Sequence, residues 1–441
     1  MNKFSRIRNS LPFIFYYIPF IFYIFYIYSF GVNIPFWDEV DTTIPLLNAQ
    51  IHHTLTLHML WGQHNEHRIF FPSLIALFIL SHSKANVVAE MFFSSFLLFG
   101  VITILLIYTT KKLRINPWLL IPIPLIILSP IQWENSLWGF QIAFYLVVFT
   151  FVISIFFLQK ALFDETGKIK NILIAVFFAL IGSYSSLQGL LVWLIGLFFV
   201  VQSQILETKK SNILITIKGI WIFAALIVNT LYFYGWSHPG YHPSMMYPIQ
   251  HLDQGTLYFV NSIGGWIGDP KSAFLFGGIF LFLYLILLFY KIGDKRFMLP
   301  VGLILFGLCF DMMILFGRSG FGAGQALSSR YTTFNLLSLS GTYILLVSSI
   351  KDWSLKKFGL LYMALFFVFI GIMIPSYING LKSSKIVKDS RSEMAKEAVL
   401  LNKANPNILR QLLTNQTILL KQLEFLKKRD WSVFGSYRVP R

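Results

Sequence analysis

Two adjacent carboxylates, Asp38 and Glu39, stand in Phe36-Trp37-Asp38-Glu39, just beyond a stretch apolar enough to cross a bilayer. A carboxylate beside apolar surface has a raised pKa and can take up a proton near neutral pH. Further along the same loop lies His64-Asn65-Glu66-His67-Arg68. Asp38, Glu39 and Glu66 are therefore the candidate general bases. Glu134 is a fourth acidic candidate, in Gln132-Trp133-Glu134-Asn135 and bracketed by Trp133 and Trp138. An unpaired carboxylate at bilayer depth is costly, so Glu134 needs a cation, a proton, or donors such as Gln132, Asn135 and Gln141. Asp41, Asp253 and Asp269 read more simply as solvated surface acids.

Five of the nine histidines, His52, His53, His58, His64 and His67, fall between residues 52 and 67 of this first loop. Imidazole and carboxylate together suit a divalent cation, magnesium, manganese or zinc, with His64, His67 and Glu134 as the candidate ligands. Their spacing matches no tight ligand motif, and histidines facing lipid headgroups are the plainer reading. Arg68, Arg318 and Arg330 are the arginines expected on the same side before the C-terminal tail. Ser328-Ser329-Arg330-Tyr331 follows the glycine-rich run 317–324. A guanidinium there could grip a phosphate with two hydrogen bonds, or snorkel to lipid headgroups. Arg330, Tyr331, Glu134, Gln141 and Arg68 are thus the candidate substrate-binding residues.

Such groups need a scaffold, and the composition names its solvent. Of 441 residues 56% are hydrophobic and only 12% charged, and the mean hydropathy is +0.66. Soluble domains carry about 25% charge. Apolar runs of roughly 18 residues or more recur, each able to span a hydrocarbon core of about 30 Å. The fold class is all-α, polytopic and membrane-embedded; a β-barrel would show short alternating strands. The net charge of +17 is scattered in small clusters between apolar runs, which excludes a nucleic-acid stripe. The single cysteine, Cys309, excludes an internal disulfide and a cysteine-based metal site.

The segment Ile69–Leu80 decides the topology. If it crosses, the clusters Lys111/Lys112/Arg114, Lys160/Lys168/Lys170, Lys209/Lys210, Lys291/Lys295/Arg296 and Lys351/Lys356/Lys357 all face outward, against Lys3/Arg6/Arg8. If it lies in the outer interface, all six face the cytoplasm, as the positive-inside rule requires. The second reading gives about eleven spans: 11–30, 87–109, 116–131, 139–159, 171–185, 189–206, 213–235, 273–290, 298–316, 331–350 and 357–378. The N-terminus is cytoplasmic, with an uncleaved first span because no small-residue cleavage site follows it. Residues 1–378 form the membrane domain, with a first outer loop at 31–86. Residues 379–441 form an outer tail of two or three short helices, judged from its helical apolar spacing and the turn at Asn405-Pro406.

This arrangement resembles the GT-C superfamily of integral-membrane glycosyltransferases, which use polyprenyl-phosphate-linked sugars. The matching features are the acidic pair after the first span, a long first outer loop with membrane-surface helices, a second acidic site at Glu134 and an arginine on a later outer loop, Arg330. The stretches 64–72 (HNEHRIFFP), 132–141 (QWENSLWGFQ) and 328–334 (SSRYTTF) look like a poorly described bacterial subgroup. The resemblance implies that Asp38 or Glu39 takes the acceptor's proton and Glu134 binds a metal or orients the acceptor. It further implies that Arg330 holds the donor phosphate. Glu66 is a further base candidate. The implied partners are a polyprenyl-phosphate-linked sugar, a lipid-linked glycan or envelope acceptor, and membrane lipid, in a bacterial plasma membrane. An O-antigen-type polymerase or ligase, or a lipid-linked sugar flippase, are the rival readings. The first expects more outer-loop arginines, and the second more mid-span charge than Asp311.

Overall fold

The computed structural model describes residues 3–206, 212–350 and 355–436, so Lys209, Lys210 and Lys351 lie outside the described residues. Among the described residues eight helices are long and apolar enough to cross a membrane: Val87–Lys112, Pro117–Leu137, Gly139–Phe163, Asn212–Phe233, Pro270–Lys291, Lys295–Phe321, Ser329–Ile350 and Gly359–Leu400. Shorter apolar helices stand at Phe15–Phe30, Phe70–His82 and Leu187–Ser203, and the fifth predicted span is the 16-residue helix Lys168–Ser183. The peripheral helices turn large apolar side chains outward: Phe223, Phe282, Phe289 and Phe367 are 64–80% exposed. Surface of that kind is stable only against lipid or another apolar partner.

The centre is aromatic. Phe151 of Ile142–Phe163 stacks on Phe306 of Met298–Arg318, and Phe310 stacks on Phe334 of Thr332–Ile350, both at 4.0 Å between ring centroids. The third predicted span, 116–131, is broken by prolines into Pro117–Leu120, Pro122–Ile127 and Pro130–Gln132, and the short helix Trp133–Leu137 follows it. Prolines free backbone carbonyls, which in a membrane must find other donors. Tyr377 Oη donates to the Leu125 carbonyl at 2.8 Å, and Gln132 Nε2 to that of Ile127 at 2.6 Å.

Phe70–His82 has 13 residues, about 20 Å of helix, short of the roughly 30 Å hydrocarbon core. It packs on Val87–Ile107 and Ile44–Ile51. The connections expected on the two sides of the bilayer also separate in space. Lys112 pairs with Asp164 at 3.3 Å and shares a small cavity with Lys291, Arg296 and Ser348. The connections near residues 38, 66, 141, 188, 242 and 330 meet instead around one other cavity.

The tail departs from expectation. The last membrane helix was expected to end near 378, but Leu355–Leu400 runs on unbroken through Pro375. Only then do Pro406–Leu412, Gln416–Lys427 and Val433–Ser436 follow. Met394, Ala398, Leu409, Leu412, Leu419 and Leu423 form a second core with Val32, Ile34 and Val40. The tail thereby packs against the segment that carries Asp38.

Candidate functional site

Trp37 adopts a left-handed backbone (φ 46°), a conformation few non-glycine residues hold without help. The tail supplies that help. The Trp37 backbone N–H donates to the Leu412 carbonyl and its indole N–H to the Gln411 carbonyl, each at 2.9 Å. Arg391 donates to the Leu137 carbonyl, and its guanidinium lies 4.6 Å from the Phe36 ring centroid.

This local fold splits the acidic pair. Asp38 lines a cavity of about 180 Å³. Glu39 points the other way and is 1% exposed. Its two oxygens accept the backbone N–H groups of Phe36 and Phe140, each at 2.9 Å. Burial pushes the Glu39 carboxyl upward against those hydrogen bonds and the nearby Arg391. The equally buried Glu90 lies alongside: a methyl group on Gly139 would sit 2.6 Å from Glu90 Oε2 and 2.7 Å from Glu39 Oε1. Glu90, inside an apolar helix, was not among the sequence candidates; its position near the start of Val87–Ile107 was the only signal.

The His64–Arg68 motif forms a small hairpin, Gln63–His64 paired with His67–Arg68. Asn65 takes the positive φ (50°) of its two-residue turn. Arg68 anchors the hairpin. Its Nε, Nη1 and Nη2 donate to the carbonyls of Tyr232, Trp61 and Tyr234 at 2.7, 2.9 and 2.6 Å. A guanidinium so occupied, and 5% exposed, holds the backbone and does not line the cavity.

The hairpin delivers His64, Glu66 and His67 to the cavity wall. Thr42 donates to Asp41, so its oxygen receives His64 Nδ1–H at 3.0 Å, which turns His64 Nε2 toward Asp38 Oδ1 at 3.4 Å. Burial alone would lower the His64 pKa, but Asp38 outweighs it, with Asp41 and Glu66 adding to the rise. The Leu187 N–H donates to His67 Nδ1 at 3.2 Å, which leaves Nε2–H to face Glu66 Oε1 at 3.4 Å. Burial drives His67 down to about 4, so it is neutral at pH 7. Burial would raise Glu66, yet His67, Arg318 and His242 together hold it at about 2. With His67 neutral, the Arg318 guanidinium, which donates to Glu66 Oε1, is the fixed cation.

Arg330 and Tyr331 come from the strap of short helical turns 319–331 and line the same cavity, as does Gln141. Arg330 Nε is buried and, among the described residues, has no hydrogen-bond partner. Glu134 lies behind the strap. Its Oε2 accepts from Ser328 Oγ and from the Arg330 backbone N–H, both at 3.1 Å, so it holds the strap that presents Arg330. The cavity also takes up Gln188, His238 and His242, which the sequence reading had not singled out.

Among the described residues no three His, Cys, Asp or Glu side chains gather as a metal ion would require. His64 and His67 face different carboxylates, and Glu134 stands outside the cavity.

No family model matches the sequence, and none of the curated proteins matches it. Among solved structures the chain is similar to ArnT from Cupriavidus metallidurans bound to undecaprenyl phosphate. The identity is 11% and the TM-score 0.44, over 96% of this chain and 76% of that one. That likeness is one of chain course alone, and none of the distances above depends on it.

Proposed function

We propose that this chain is a GT-C-type membrane glycosyltransferase. It moves a sugar from a polyprenyl-phosphate carrier to an acceptor hydroxyl at the outer face of a bacterial plasma membrane. One observation carries the reading: Asp38 and Arg330, whose buried Nε has no hydrogen-bond partner among the described residues, line the same cavity. A base and a phosphate ligand are the two groups such a transfer needs.

In the proposed reaction the acceptor oxygen attacks the anomeric carbon and its proton passes to Asp38. The bond to the phosphate oxygen breaks on the opposite face, which inverts the anomeric centre. The electron pair leaves with the polyprenyl phosphate, whose charge Arg330 meets. General base action contributes roughly 10²–10⁴ in rate, and stabilising the departing oxyanion contributes on the order of 10²–10³. The donor set around the cavity does not fit a resident divalent cation, so Arg330, not a metal, is assigned the phosphate charge. In this reading the cavity, the first outer loop and the tail face outward, and the N-terminus is cytoplasmic.

The test is sugar transfer by the purified protein in nanodiscs, supplied with polyprenyl-phosphate sugars and an extract of envelope acceptors. Transfer that disappears in a folded Asp38→Asn variant supports the reading. Movement of the lipid between leaflets without transfer would favour the flippase. Turnover confined to lipid-linked oligosaccharides would favour the polymerase or ligase.

A further inference from the structure

Glu90 lies fully buried in the first turn of Val87–Ile107, and neither of its carboxyl oxygens has a hydrogen-bond partner among the described residues. A helix start favours negative charge, but this one is already capped. Val87 N–H donates to Asn33 Oδ1 at 3.1 Å and Val88 N–H to Asn86 Oδ1 at 3.0 Å. An isolated carboxylate in such a place is costly. Glu90 needs a proton or a donor.

What it meets is Glu39. A methyl group on Gly139 would touch Glu90 Oε2 at 2.6 Å and Glu39 Oε1 at 2.7 Å, so the two carboxyls approach each other only because residue 139 has no side chain. The charge that acts on Glu90 is that of Glu39, not of a cation. Two carboxyl groups this close in a dry site cannot both be ionised. The donors around them decide where the charge sits. Glu39 accepts the N–H groups of Phe36 and Phe140, each at 2.9 Å, and is further stabilised by the Arg391 guanidinium. Glu90 has no such help. The charge therefore belongs on Glu39 and the proton on Glu90.

The pair stands behind the cavity wall. Phe36 leads through Trp37 into Asp38, while Phe140 and Gln141 line the cavity together with Asp38. The Glu39 carboxylate thus ties the segment that carries the candidate base to the wall that faces it. We propose that Glu90 is a positioning residue for Asp38: it keeps its proton and donates it, directly or through one water, to the Glu39 carboxylate, which in turn pins Phe36 and Phe140. The catalytic consequence rests on the transferase reading; the geometry does not. A Glu90 that lost its proton would set two like charges side by side. Glu39 would then swing away from Phe36 and Phe140, or take the proton itself and loosen its hold on both N–H groups.

The experiment uses the full-length protein in nanodiscs and three variants. Glu90→Gln keeps an N–H donor, Glu90→Leu keeps only apolar volume, and Gly139→Ala wedges the carboxyls apart. Glu90→Gln should remove intensity from the infrared C=O stretch that protonated carboxyls have and carboxylates lack. Amide hydrogen exchange in the segments holding Phe36 and Phe140 should quicken by roughly 10-fold or more in Glu90→Leu and Gly139→Ala, and stay near the wild-type rate in Glu90→Gln. Single-turnover transfer should fall by roughly 10–100-fold in Glu90→Leu and Gly139→Ala, while Glu90→Gln stays within about 3-fold of wild type. Bare undecaprenyl phosphate should bind all three alike, because Arg330 is untouched. Melting temperatures identify a variant that fails to fold, and the infrared arm, which needs only Glu90→Gln, then decides. The proposal is overturned if wild type and Glu90→Gln do not differ in the carboxyl band, or if Glu90→Leu exchanges or transfers like wild type. It is also overturned if Glu90→Gln is as impaired as Glu90→Leu, or if the variants lose the bare lipid as well. Wild-type protein that transfers no sugar would instead remove the transferase reading, and the infrared and exchange arms would judge Glu90 alone.

Discussion

Glu66 and Arg318 lie 252 residues apart in the chain and form an ion pair across the candidate cavity. The pair joins the tip of the first-loop hairpin to the end of Met298–Arg318. With Glu66 13% and Arg318 21% exposed, it is partly shielded from water. Removing one partner leaves the other charge poorly solvated, so Arg318→Ala should cost on the order of 2 kcal/mol. Glu66→Gln combined with Arg318→Gln should recover part of the loss. The Glu66 pKa is depressed from 4.5 to about 2, so its contribution is fully present above pH 4.5 and is lost as pH falls toward 2. Arg318→Ala should raise the pH at which acid unfolding sets in, as read by thermal unfolding in nanodiscs across pH.

The two members of the acidic pair should behave differently. Asp38→Asn should lower kcat by roughly 10²–10⁴ with donor binding kept. Glu39→Gln places an amide N–H against one of the two backbone N–H groups that its carboxylate now accepts. Its main effect should be a loss of about 1–3 kcal/mol in stability. Comparing single-turnover rates with melting temperatures separates the outcomes. A stable but inactive Glu39→Gln beside an active Asp38→Asn would reverse the assignment.

His64 should set the acid limb of activity. Its pKa is raised above 6.5 by Asp38 despite burial, and a proton on His64 makes Asp38 a poorer base. Transfer should therefore rise with pH through that raised value, and His64→Gln should move the limb to lower pH. The stability from the His64–Asp38 pair has the opposite sense: it is fully present below 6.5 and fades as pH rises through the raised value. An unchanged limb in His64→Gln would assign it to another group.

Arg330 and Glu134 should fail in related but distinct ways. Arg330→Ala should raise the donor KM and lower kcat together, because the guanidinium meets both bound and departing phosphate. Arg330→Lys should restore charge but little of the two-bond grip. Glu134→Gln should weaken the hold on the Ser328 hydroxyl and the Arg330 backbone, and so give a milder form of the Arg330 defect. Titrating donor against each variant is the measurement. A Glu134→Gln enzyme that loses activity more completely than Arg330→Ala would place Glu134 in direct contact with substrate.

Much of this architecture was legible because lipid imposes strict rules. Apolar run lengths located the helices, and the placement of lysines and arginines grouped the connections that meet at the cavity. Asp38, Glu66 and Arg330 were visible as polar groups that such a chain would not otherwise keep. What escaped was orientation within a few residues. Nothing in the Asp38-Glu39 dipeptide says that a left-handed Trp37 turns one carboxylate to the cavity and buries the other. Gln188 was not among the candidates, because its place at the cavity depends on a hairpin far away in the chain. Glu134 was recognised as costly and Arg68 as a candidate substrate ligand, but the Ser328 hydroxyl and the Arg330 backbone N–H satisfy the first and three backbone carbonyls the second. The continuation of the last membrane helix through Pro375 was hidden for a related reason. A lone proline is tolerated where surrounding packing holds the helix, and packing cannot be read from composition.

The second core, where Val32, Ile34 and Val40 meet Leu409, Leu412 and Leu419, has a consequence for biogenesis. The loop bearing Asp38 is made long before Gln411 and Leu412, whose carbonyls secure Trp37. A nascent chain can thus insert the helices that precede Leu355–Leu400 and still lack the contacts that hold Trp37 in its left-handed turn. Premature stop codons ahead of Gln411 would yield a protein that is membrane-integrated, full of lipid contacts, and unfinished at its candidate site.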